Sequence, residues 1–389
     1  GHQVLTIAPE FENTPELEQQ VIRVPAKQRF NGIDFSVAYP FGGSLADAVC
    51  DFAPDLVHSH HPFLLGGTAL RIARVEDIPL IFTHHTMYEH FTQYVPGDSP
   101  ALKRFVIQLA TSYANLCQIV IAPSESIEEI LKKRGVTETI TVNPTGIDLK
   151  HFYHGSGPGL RQILEIPNDS FLIGHVGRIA PEKNLAFLAH TAARFLKLHP
   201  HAFFLIVGDG PVLPEVMRIL RNAGVGDRVR STGVLSGSFL ISAYLAMDAF
   251  LFTSKSETQG MVLAEALAAG TPVVALDAPG AREVVIDLVN GRLISKEDTL
   301  AFIKALEWVQ ADLENLPDKA SVSAEAFSLE TCTTRLLEIY QTAIDTYSSP
   351  EETPMDSWKR VMHYIQAEWD LIGNIIGATT APFQDSPKD

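Results

Sequence analysis

The chain has 389 residues, of which 46% are hydrophobic, so it is long enough for two domains with full cores. Its formal net charge of −16 argues against a general nucleic-acid binder, since neutralising phosphates needs a basic surface. The sequence contains no apolar run of about 18 residues and no signal peptide, so we expect membrane contact to be peripheral at most.

The first half of the chain alternates predicted strands and helices. Strands are predicted over residues 4–9, 33–37, 55–58, 79–83, 118–122 and 139–142, with helices such as 44–51 and 100–116 between them. A second series has strands over residues 171–176, 202–207, 229–232, 249–252 and 272–276. This pattern predicts two α/β domains, joined by a hinge over residues 143–167 and able to hold a ligand in a cleft between them.

Two further helices are predicted after the second series. A helix over residues 328–346 is expected to close the second domain, and a helix over residues 355–376 carries one broad apolar stripe. The simpler interpretation of that stripe is packing back across the first domain; an interfacial membrane helix is the alternative. The predicted domains are therefore residues 1–160 and 161–350, followed by a crossing helix within 351–377 and a disordered tail over 378–389.

Residues 253–270 place one acid on a loop, then a glycine turn, and then a helix that carries a second acid. At such a strand–loop–helix junction the free N–H groups of the helix start face the carboxyl ends of the strands, where open α/β sheets bind anions. Gly260 lets the backbone approach a ligand closely. Glu257 and Glu265 can face the same ligand, and two carboxylates near a phosphate suggest hydroxyl-rich sugars beside it.

Cations that could balance these acids follow the strand over residues 171–176. Arg178 supplies a planar fork and Lys183 a point charge, which together suit a diphosphate, although a solvated charge pair is the alternative. The turn at Gly208 and Gly210 is weaker evidence for a close backbone approach. The main chain around Val234 could contact the edge of a flat base, and a plain β-turn fits that spacing equally well.

Five motifs resemble, in order and spacing, the second domain of retaining glycosyltransferases of family 4: GRIAPEKN, IVGDGP, TGVLS, SKSETQGMVLAEALAAGTPVVA and NGRL. The resemblance covers residues 171–293 and implies the GT-B fold, in which two Rossmann-like α/β domains face each other across a cleft. It implies that Arg178 and Lys183 clamp the donor diphosphate. It also implies that Glu265 holds the ribose and that Glu257 contacts the donor sugar. Further implied donor contacts are Gly177, Gly208, Val234, Gly260, Met261 and Val262.

Two histidine clusters, HSHHP at residues 58–62 and THHTMY at residues 83–88, both follow predicted strands and so belong at the carboxyl edge of the sheet. A metal site is disfavoured, because the family needs none held by protein ligands and no single helix presents His at i and i+4. The resemblance implies that His85 reaches the transferred sugar near the reacting carbon. Cys50, Cys117 and Cys332 stand in apolar runs and are expected to be reduced core residues of a cytoplasmic protein.

Residues 83–96 are similar to the lipid-glycosylating branch of the family, especially the diacylglycerol glucosyltransferases. The candidate acceptor contacts are therefore His60, Tyr88, Phe91 and Tyr94, with the aromatic residues forming an apolar mouth that carries hydroxyls. An ordinary aromatic loop packing on its own domain is the alternative. Five cations could touch anionic lipid: Lys103, Arg104, Lys132, Lys133 and Arg134.

The start of the chain departs from the family pattern. Family members begin with a strand, a Gly-rich loop and a helix before a GH-x-V strand, and here GHQV stands at residue 1. Because the preceding strand would be central in a sheet of order 3-2-1-4-5-6, we expect the working protein to have residues that this chain lacks. The Gly-rich loop is accordingly not assigned.

Taken together, these features predict a retaining enzyme that transfers a hexose, namely glucose from UDP-glucose, to a diacylglycerol-type lipid at the inner face of the cell membrane. No tightly bound cofactor, divalent cation or nucleic-acid partner is expected. A soluble sugar-phosphate or inositol-phosphate acceptor is the alternative within the same class. Hydrolysis by the pair Glu257 and Glu265, or binding of a sugar nucleotide without turnover, are the remaining alternatives.

Overall fold

The computed structural model describes residues 1–11, 14–15, 18–27, 37–38, 43–94 and 99–347. The chain divides into two compact units. The first unit comprises Gly1–Pro123, Ile127–Val142 and the chain from Leu336, and the second unit comprises Ser124–Ser126 and Asn143–Arg335. Both units are α/β with parallel sheets, which confirms the predicted fold class.

The first unit is built around a parallel sheet of four strands. Its strands and helices are β1 (Thr6–Pro9), β2 (Val21–Val24), β3 (Ala26–Lys27), β4 (Val37–Ala38), α1 (Gly43–Phe52), β5 (Val57–Ser59), α2 (Leu65–Glu76), β6 (Leu80–Thr83), a 3-10 helix over Tyr88–Tyr94, α3 (Pro100–Ala114), β7 (Ile119–Ala122), α4 (Glu125–Lys133) and β8 (Thr139–Val142). The sheet has the order β5-β6-β7-β8, whereas β1 pairs with β2 in a separate two-stranded sheet. All residues of β6 and β7 are buried, as expected for central parallel strands covered on both faces.

The second unit holds a six-stranded parallel sheet. Its elements are α5 (Gly157–Ile163), β9 (Phe171–Val176), α6 (Leu185–Leu198), β10 (Ala202–Val207), α7 (Leu213–Asn222), β11 (Val229–Ser231), α8 (Gly237–Ala246), β12 (Ala249–Phe252), α9 (Met261–Ala268), β13 (Val273–Leu276), β14 (Gly291–Ile294), α10 (Thr299–Ala311), α11 (Leu316–Ala324) and the first part of α12 (Leu329–Thr346). Alternate residues of β9 enter two separate cores, with Phe171 and Ile173 in one and Leu172 and Val176 in the other. The sheet is therefore buried on both faces.

The strand order of this sheet, β11-β10-β9-β12-β13-β14, locates the candidate site. Chain order runs outward from β9 in one direction and from β12 in the other, so these two neighbours form the topological switch point. Open α/β sheets bind ligands just beyond the carboxyl ends of the strands at such a point. The loops after β9 and β12 carry Arg178, Lys183 and Glu257, the residues selected from the sequence.

The boundary between the units lies at Val142 and Asn143, not at residue 160 as predicted. Helix α5 belongs to the second unit because it packs closely on α8; a Cβ at Gly157 would meet the Leu245 backbone. In addition, the buried Arg161 forms an ion pair of 2.7 Å with Asp248. The predicted hinge segment is therefore largely an integral part of the second unit.

Helix α12 matches the predicted helix over residues 328–346, but it does not simply close the second domain. Its second half belongs to the first unit, where Ile339 and Ala343 are buried against Ile81, Ile119 and Ile121 of β6 and β7. The amphipathic pattern predicts the helix correctly, whereas the choice of sheet depends on tertiary packing.

Several expectations fall outside the described residues: the strand over residues 33–36, the helix over 355–376 and the tail over 378–389. Within the described part of the chain, no helix is both long and apolar enough to cross a membrane. Cys117 and Cys332 are buried as expected. The prediction for Cys50 is wrong: this thiol is exposed, because Leu45 and Val49 occupy the buried face of α1.

Candidate functional site

The turns that end β9 and β10 are joined by backbone hydrogen bonds. Gly177 N–H donates to the carbonyl of Val207 over 3.0 Å, and Gly208 N–H donates to that of Gly233 over 2.8 Å. Gly208 has a φ of +130°, and a Cβ there would overlap the carbonyl oxygen of Gly177. A Cβ at Gly210 would likewise overlap the carbonyl of Ile179. Glycine at 208 and 210 is thus required by the close approach of neighbouring loops, which the sequence-based interpretation had assigned to a ligand.

The two predicted cations occupy different environments. Arg178 pairs with Glu182, four residues further along the chain, and the Arg178 side chain is 45% exposed. Lys183 ends the short 3-10 helix Pro181–Lys183, and its Nζ lies 2.5 Å from Glu257 Oε1. The structure therefore brings together Lys183 and Glu257, which the sequence selected for separate roles. Glu182 was missed, because four-residue spacing indicates an ion pair only on a helix and the segment from Arg178 to Ala180 is not helical.

Helix α9 begins directly after Gly260, which is in the left-handed conformation with φ of 67° and ψ of 50°. A Cβ at Gly260 would approach the Gly280 carbonyl oxygen to 2.7 Å, so glycine is needed for both conformation and space. Met261 at the helix start is exposed and Val262 is half-buried. The first N–H groups of α9 thus lie at the switch-point edge, as predicted.

Glu265, on α9, is held by a residue that sequence analysis did not select. The buried Tyr244 of α8 donates its hydroxyl to Glu265 Oε2 over 2.6 Å. Burial raises the pKa of Glu265, and the hydrogen bond from Tyr244 partly opposes this shift. Oε1 receives no hydrogen bond from the described residues, so the carboxylate has one oxygen available to a ligand hydroxyl.

A buried histidine lies beneath the Lys183–Glu257 pair. His175 of β9 directs Nδ1 at the carbonyl of Leu251 over 3.1 Å, so Nδ1 carries the proton. Burial, with a smaller contribution from the nearby ammonium of Lys183, lowers the pKa of His175 to about 4. The ring is therefore neutral at pH 7 and adds no third cation to the site.

Val234 follows the turn at Gly233, and its side chain is 77% exposed. The antiparallel bridge between Gly208 and Gly233 fixes this turn against the end of β10. The predicted contact of the main chain around Val234 with the edge of a base stays a prediction.

In the first unit the two histidine clusters meet at the carboxyl ends of β5 and β6. His60 Nδ1 lies 2.9 Å from His85 Nε2, and the rings stack with centroids 5.2 Å apart. His58 uses its two nitrogens on Tyr340 OH at 2.6 Å and on Thr83 Oγ1 at 2.7 Å. Burial lowers the pKa of all three histidines, that of His85 to about 4, so they are neutral at pH 7.

The predicted aromatic mouth is only partly formed by exposed residues. Phe91 is exposed, whereas Tyr88 packs edge-on against His61 and Phe63 with its hydroxyl buried. The expectation of an accessible Tyr88 hydroxyl is therefore wrong, because the histidine cluster surrounds that ring. The side chain of Tyr94 lies outside the described residues.

The cations considered for lipid contact at residues 132–134 are paired with carboxylates. Lys132 pairs with Glu128 and Lys133 with Glu129 along α4, and Arg134 pairs with the buried Glu89. Their positive charge is thus locally balanced. Among the residues that the structure describes, no group of three or more His, Cys, Asp or Glu side chains is arranged to hold a metal ion.

The chain matches two family models and several proteins of known activity. Residues 158–325 match the family model of glycosyl transferases group 1, and residues 1–151 match that of glycosyltransferase family 4. The alpha-monoglucosyldiacylglycerol synthase of Acholeplasma laidlawii is 29% identical over 367 residues, covering 89% of this chain and 90% of that protein. The D-inositol 3-phosphate glycosyltransferase of Geodermatophilus obscurus is 30% identical over 310 residues, covering 77% and 68%.

The solved structures that resemble this chain include Anabaena HepE in complex with UDP-glucose. The TM-score is 0.64 at 21% identity, with 83% of this chain and 86% of that chain covered. At this level of identity the likeness establishes the fold, in agreement with the two parallel α/β units described above.

Proposed function

Since the chain belongs to glycosyltransferase family 4 and has a GT-B fold, we propose that it transfers glucose from UDP-glucose to a diacylglycerol-type lipid with retention of configuration. The observation that carries this proposal is the arrangement at the switch point of the second unit. Arg178 is exposed there, Lys183 is paired with Glu257, and the start of α9 lies at the same edge. Such a site suits a diphosphate that is attached to hydroxyl-rich groups.

In the proposed donor complex, Lys183 and Arg178 bind the diphosphate and are assisted by the helix start. Glu265, oriented by Tyr244, accepts a hydrogen bond from a ribose hydroxyl. Glu257 contacts the sugar and is itself oriented by its ion pair with Lys183. Each carboxylate thus has a protein partner that fixes its direction before the donor arrives, which reduces the reorganisation needed on binding.

For the chemical step, the resemblance to the family implies attack by the acceptor hydroxyl on the face from which the diphosphate leaves. The diphosphate itself takes the acceptor proton, so no enzymic nucleophile is required. The contribution of Arg178 and Lys183 is to stabilise the negative charge that develops on the leaving group. His85 positions the sugar near its reacting carbon.

The proposal of a lipid acceptor draws support from the Acholeplasma relative, whose name specifies a glucosyldiacylglycerol product. The exposed Phe91 on the 3-10 helix after β6 is an apolar contact of the kind that a lipid needs. The paired cations of α4 make electrostatic attraction to anionic lipid a minor contribution. We accordingly propose a peripheral contact made mainly by apolar groups.

A second candidate acceptor is an inositol phosphate, favoured by the 30% identity to the Geodermatophilus enzyme. The donor reaction would be the same. Hydrolysis by Glu257 and Glu265 is disfavoured, because Arg178 and Lys183 suit a diphosphate and a hydrolase has no diphosphate to bind.

An acceptor competition tests the proposal. The protein is incubated with radiolabelled UDP-glucose, diacylglycerol in vesicles and inositol phosphate at equal concentration, and lipid and aqueous products are separated. We expect the label to enter the lipid fraction. Label in an inositol-phosphate glucoside would favour the second candidate, and binding of UDP-glucose without any turnover would leave only a sensor.

A further inference from the structure

The histidines of the first unit form a connected group around His85. Strands β5 and β6 are parallel neighbours, with His58 in register with Ile81, so the residues just after both strands lie side by side. His60 follows β5 and His85 follows β6. Their rings are nearly parallel, at 21°, and the His60 Nδ1 to His85 Nε2 distance of 2.9 Å is that of a hydrogen bond.

This hydrogen bond couples the protonation of the two rings. Both are neutral at pH 7, and a neutral imidazole has one N–H and one acceptor nitrogen. The hydrogen bond between His60 Nδ1 and His85 Nε2 therefore contains one proton, which belongs to one of the two rings. If His60 donates it, the proton of His85 is on Nδ1; if His85 donates it, the proton of His60 is on Nε2. The contact with His60 thus couples the tautomer of His85 to that of His60.

The ring of His60 also packs against the ring of His58. The His58 ring lies against it with centroids 4.1 Å apart and a tilt of 33°, and the two nitrogens of His58 form hydrogen bonds with Tyr340 and Thr83. The titratable groups facing the pair are thus His58 from β5, His84 from the segment after β6 and Tyr340 from α12. The His60 ring, although its residue is exposed, is thus packed against His58 and hydrogen-bonded to His85.

We propose that His60 is a positioning residue that fixes the orientation and tautomer of His85 through the hydrogen bond between Nδ1 and Nε2. The inference deepens the proposed function and rests on it in one respect, the contact of His85 with the transferred sugar. It replaces the interpretation of His60 as a direct acceptor contact. His60 acts on the reaction through His85 and not by touching the acceptor.

A double-mutant cycle tests this proposal. His60→Ala should lower kcat by about 10- to 100-fold, because small misplacements of a group beside the reacting carbon are costly. Binding of UDP and the acceptor KM should change less than about twofold. In a His85→Ala background, His60→Ala should cause almost no further loss, since the residue it positions is gone. His60→Asn should recover part of the rate, because its terminal amide reaches the place of Nδ1. His190→Ala, at an exposed site on α6, is the matched control.

The second measurement does not depend on activity. Nitrogen NMR of the imidazoles reports one tautomer for His85 in the unmodified protein, and His60→Ala should give a mixture together with a higher pKa for His85. Equal losses from His60→Ala in both backgrounds, or an increase in acceptor KM, would overturn the positioning role. If His85→Ala leaves kcat unchanged, the role of His85 in the proposed function fails; an unchanged His85 tautomer in His60→Ala then refutes the coupling separately.

Discussion

Replacing Lys183 with alanine tests the donor site at the ion pair between Lys183 and Glu257. The Lys183 and Glu257 side chains are only 24% and 15% exposed. Because water screens the ammonium little, we expect its hydrogen bonds to contribute the full free energy of charged hydrogen bonds. A charged hydrogen bond contributes about 1.5–3 kcal/mol, which corresponds to a loss of UDP affinity of about 10- to 150-fold. Glucose transfer should fall by at least the same factor.

Replacing Glu257 with glutamine separates the effect of the carboxylate charge on Lys183 from the contact of Glu257 with the sugar. Glu257→Gln removes the carboxylate that Lys183 now neutralises, so the lysine becomes fully available to the diphosphate. UDP affinity should therefore stay the same or rise, whereas glucose transfer should fall because the contact of Glu257 with the sugar is altered. The two variants of one ion pair thus have opposite expected effects on UDP binding.

Isothermal calorimetry with UDP measures these affinities, and thermal unfolding checks that each variant is folded. Lys319→Ala is the control, because Lys319 also pairs with an acid, Asp312, but is 48% exposed and should have little effect. A UDP affinity within twofold of the unmodified protein in Lys183→Ala would refute the diphosphate clamp. A large loss in Glu257→Gln would show that the pair acts as a structural unit.

The other predictions concern catalysis, packing, acid stability and the lipid mouth. His85→Ala should lower kcat far more than UDP affinity, because UDP carries no hexose for the ring to touch; equal losses would mean a structural role. Gly208→Ala should destabilise the second unit by at least about 1–3 kcal/mol, since φ is +130° and the new Cβ overlaps the Gly177 carbonyl; an unchanged urea midpoint would contradict this. The pKa of His84, His85 and His175 is about 4 in the folded protein, so the unfolded chain binds protons first as the pH falls. The free energy of unfolding should therefore decrease between about pH 6.5 and 4, by up to about 1.4 kcal/mol per pH unit for each histidine. Equal urea midpoints at pH 7 and 5 would refute this. Replacing Phe91 and Tyr94 together by Ser should reduce transfer to vesicle lipid, at roughly 1.5–3 kcal/mol per apolar side chain, and leave UDP binding intact; normal lipid transfer would exclude the mouth.

The sequence predicts the second unit well because its signals are local. Strand β12, the glycine turn at Gly260 and helix α9 follow one another within a single stretch, and each is specified by its own residues. The segments that carry the acids and cations therefore follow the carboxyl ends of strands in both prediction and structure. Their pairing could not be predicted in the same way, because Lys183 and Glu257 are 74 positions apart and either could have faced solvent.

Contacts made through the core also lie beyond what the local pattern contains. Tyr244 reads as one more apolar residue of α8, and only the packing of α8 beside α9 brings its hydroxyl to Glu265. Tyr340 likewise reaches His58 from 282 positions away. The second half of α12 shows the same limit: its amphipathic pattern predicts a helix but not the sheet on which it packs. Cys50 was misassigned because apolar neighbours in sequence need not share the buried face of a helix.

The structure of the product tests the central claim most directly. Unmodified protein is given UDP-glucose and diacylglycerol vesicles, the organic-phase product is isolated, and its anomeric configuration is determined by NMR, with Lys183→Ala as the inactive control. The account predicts an α-linked glucosyl lipid that forms only when both substrates are present. A β-linked product would contradict retention of configuration. Release of the sugar as free glucose would contradict glycosyl transfer itself.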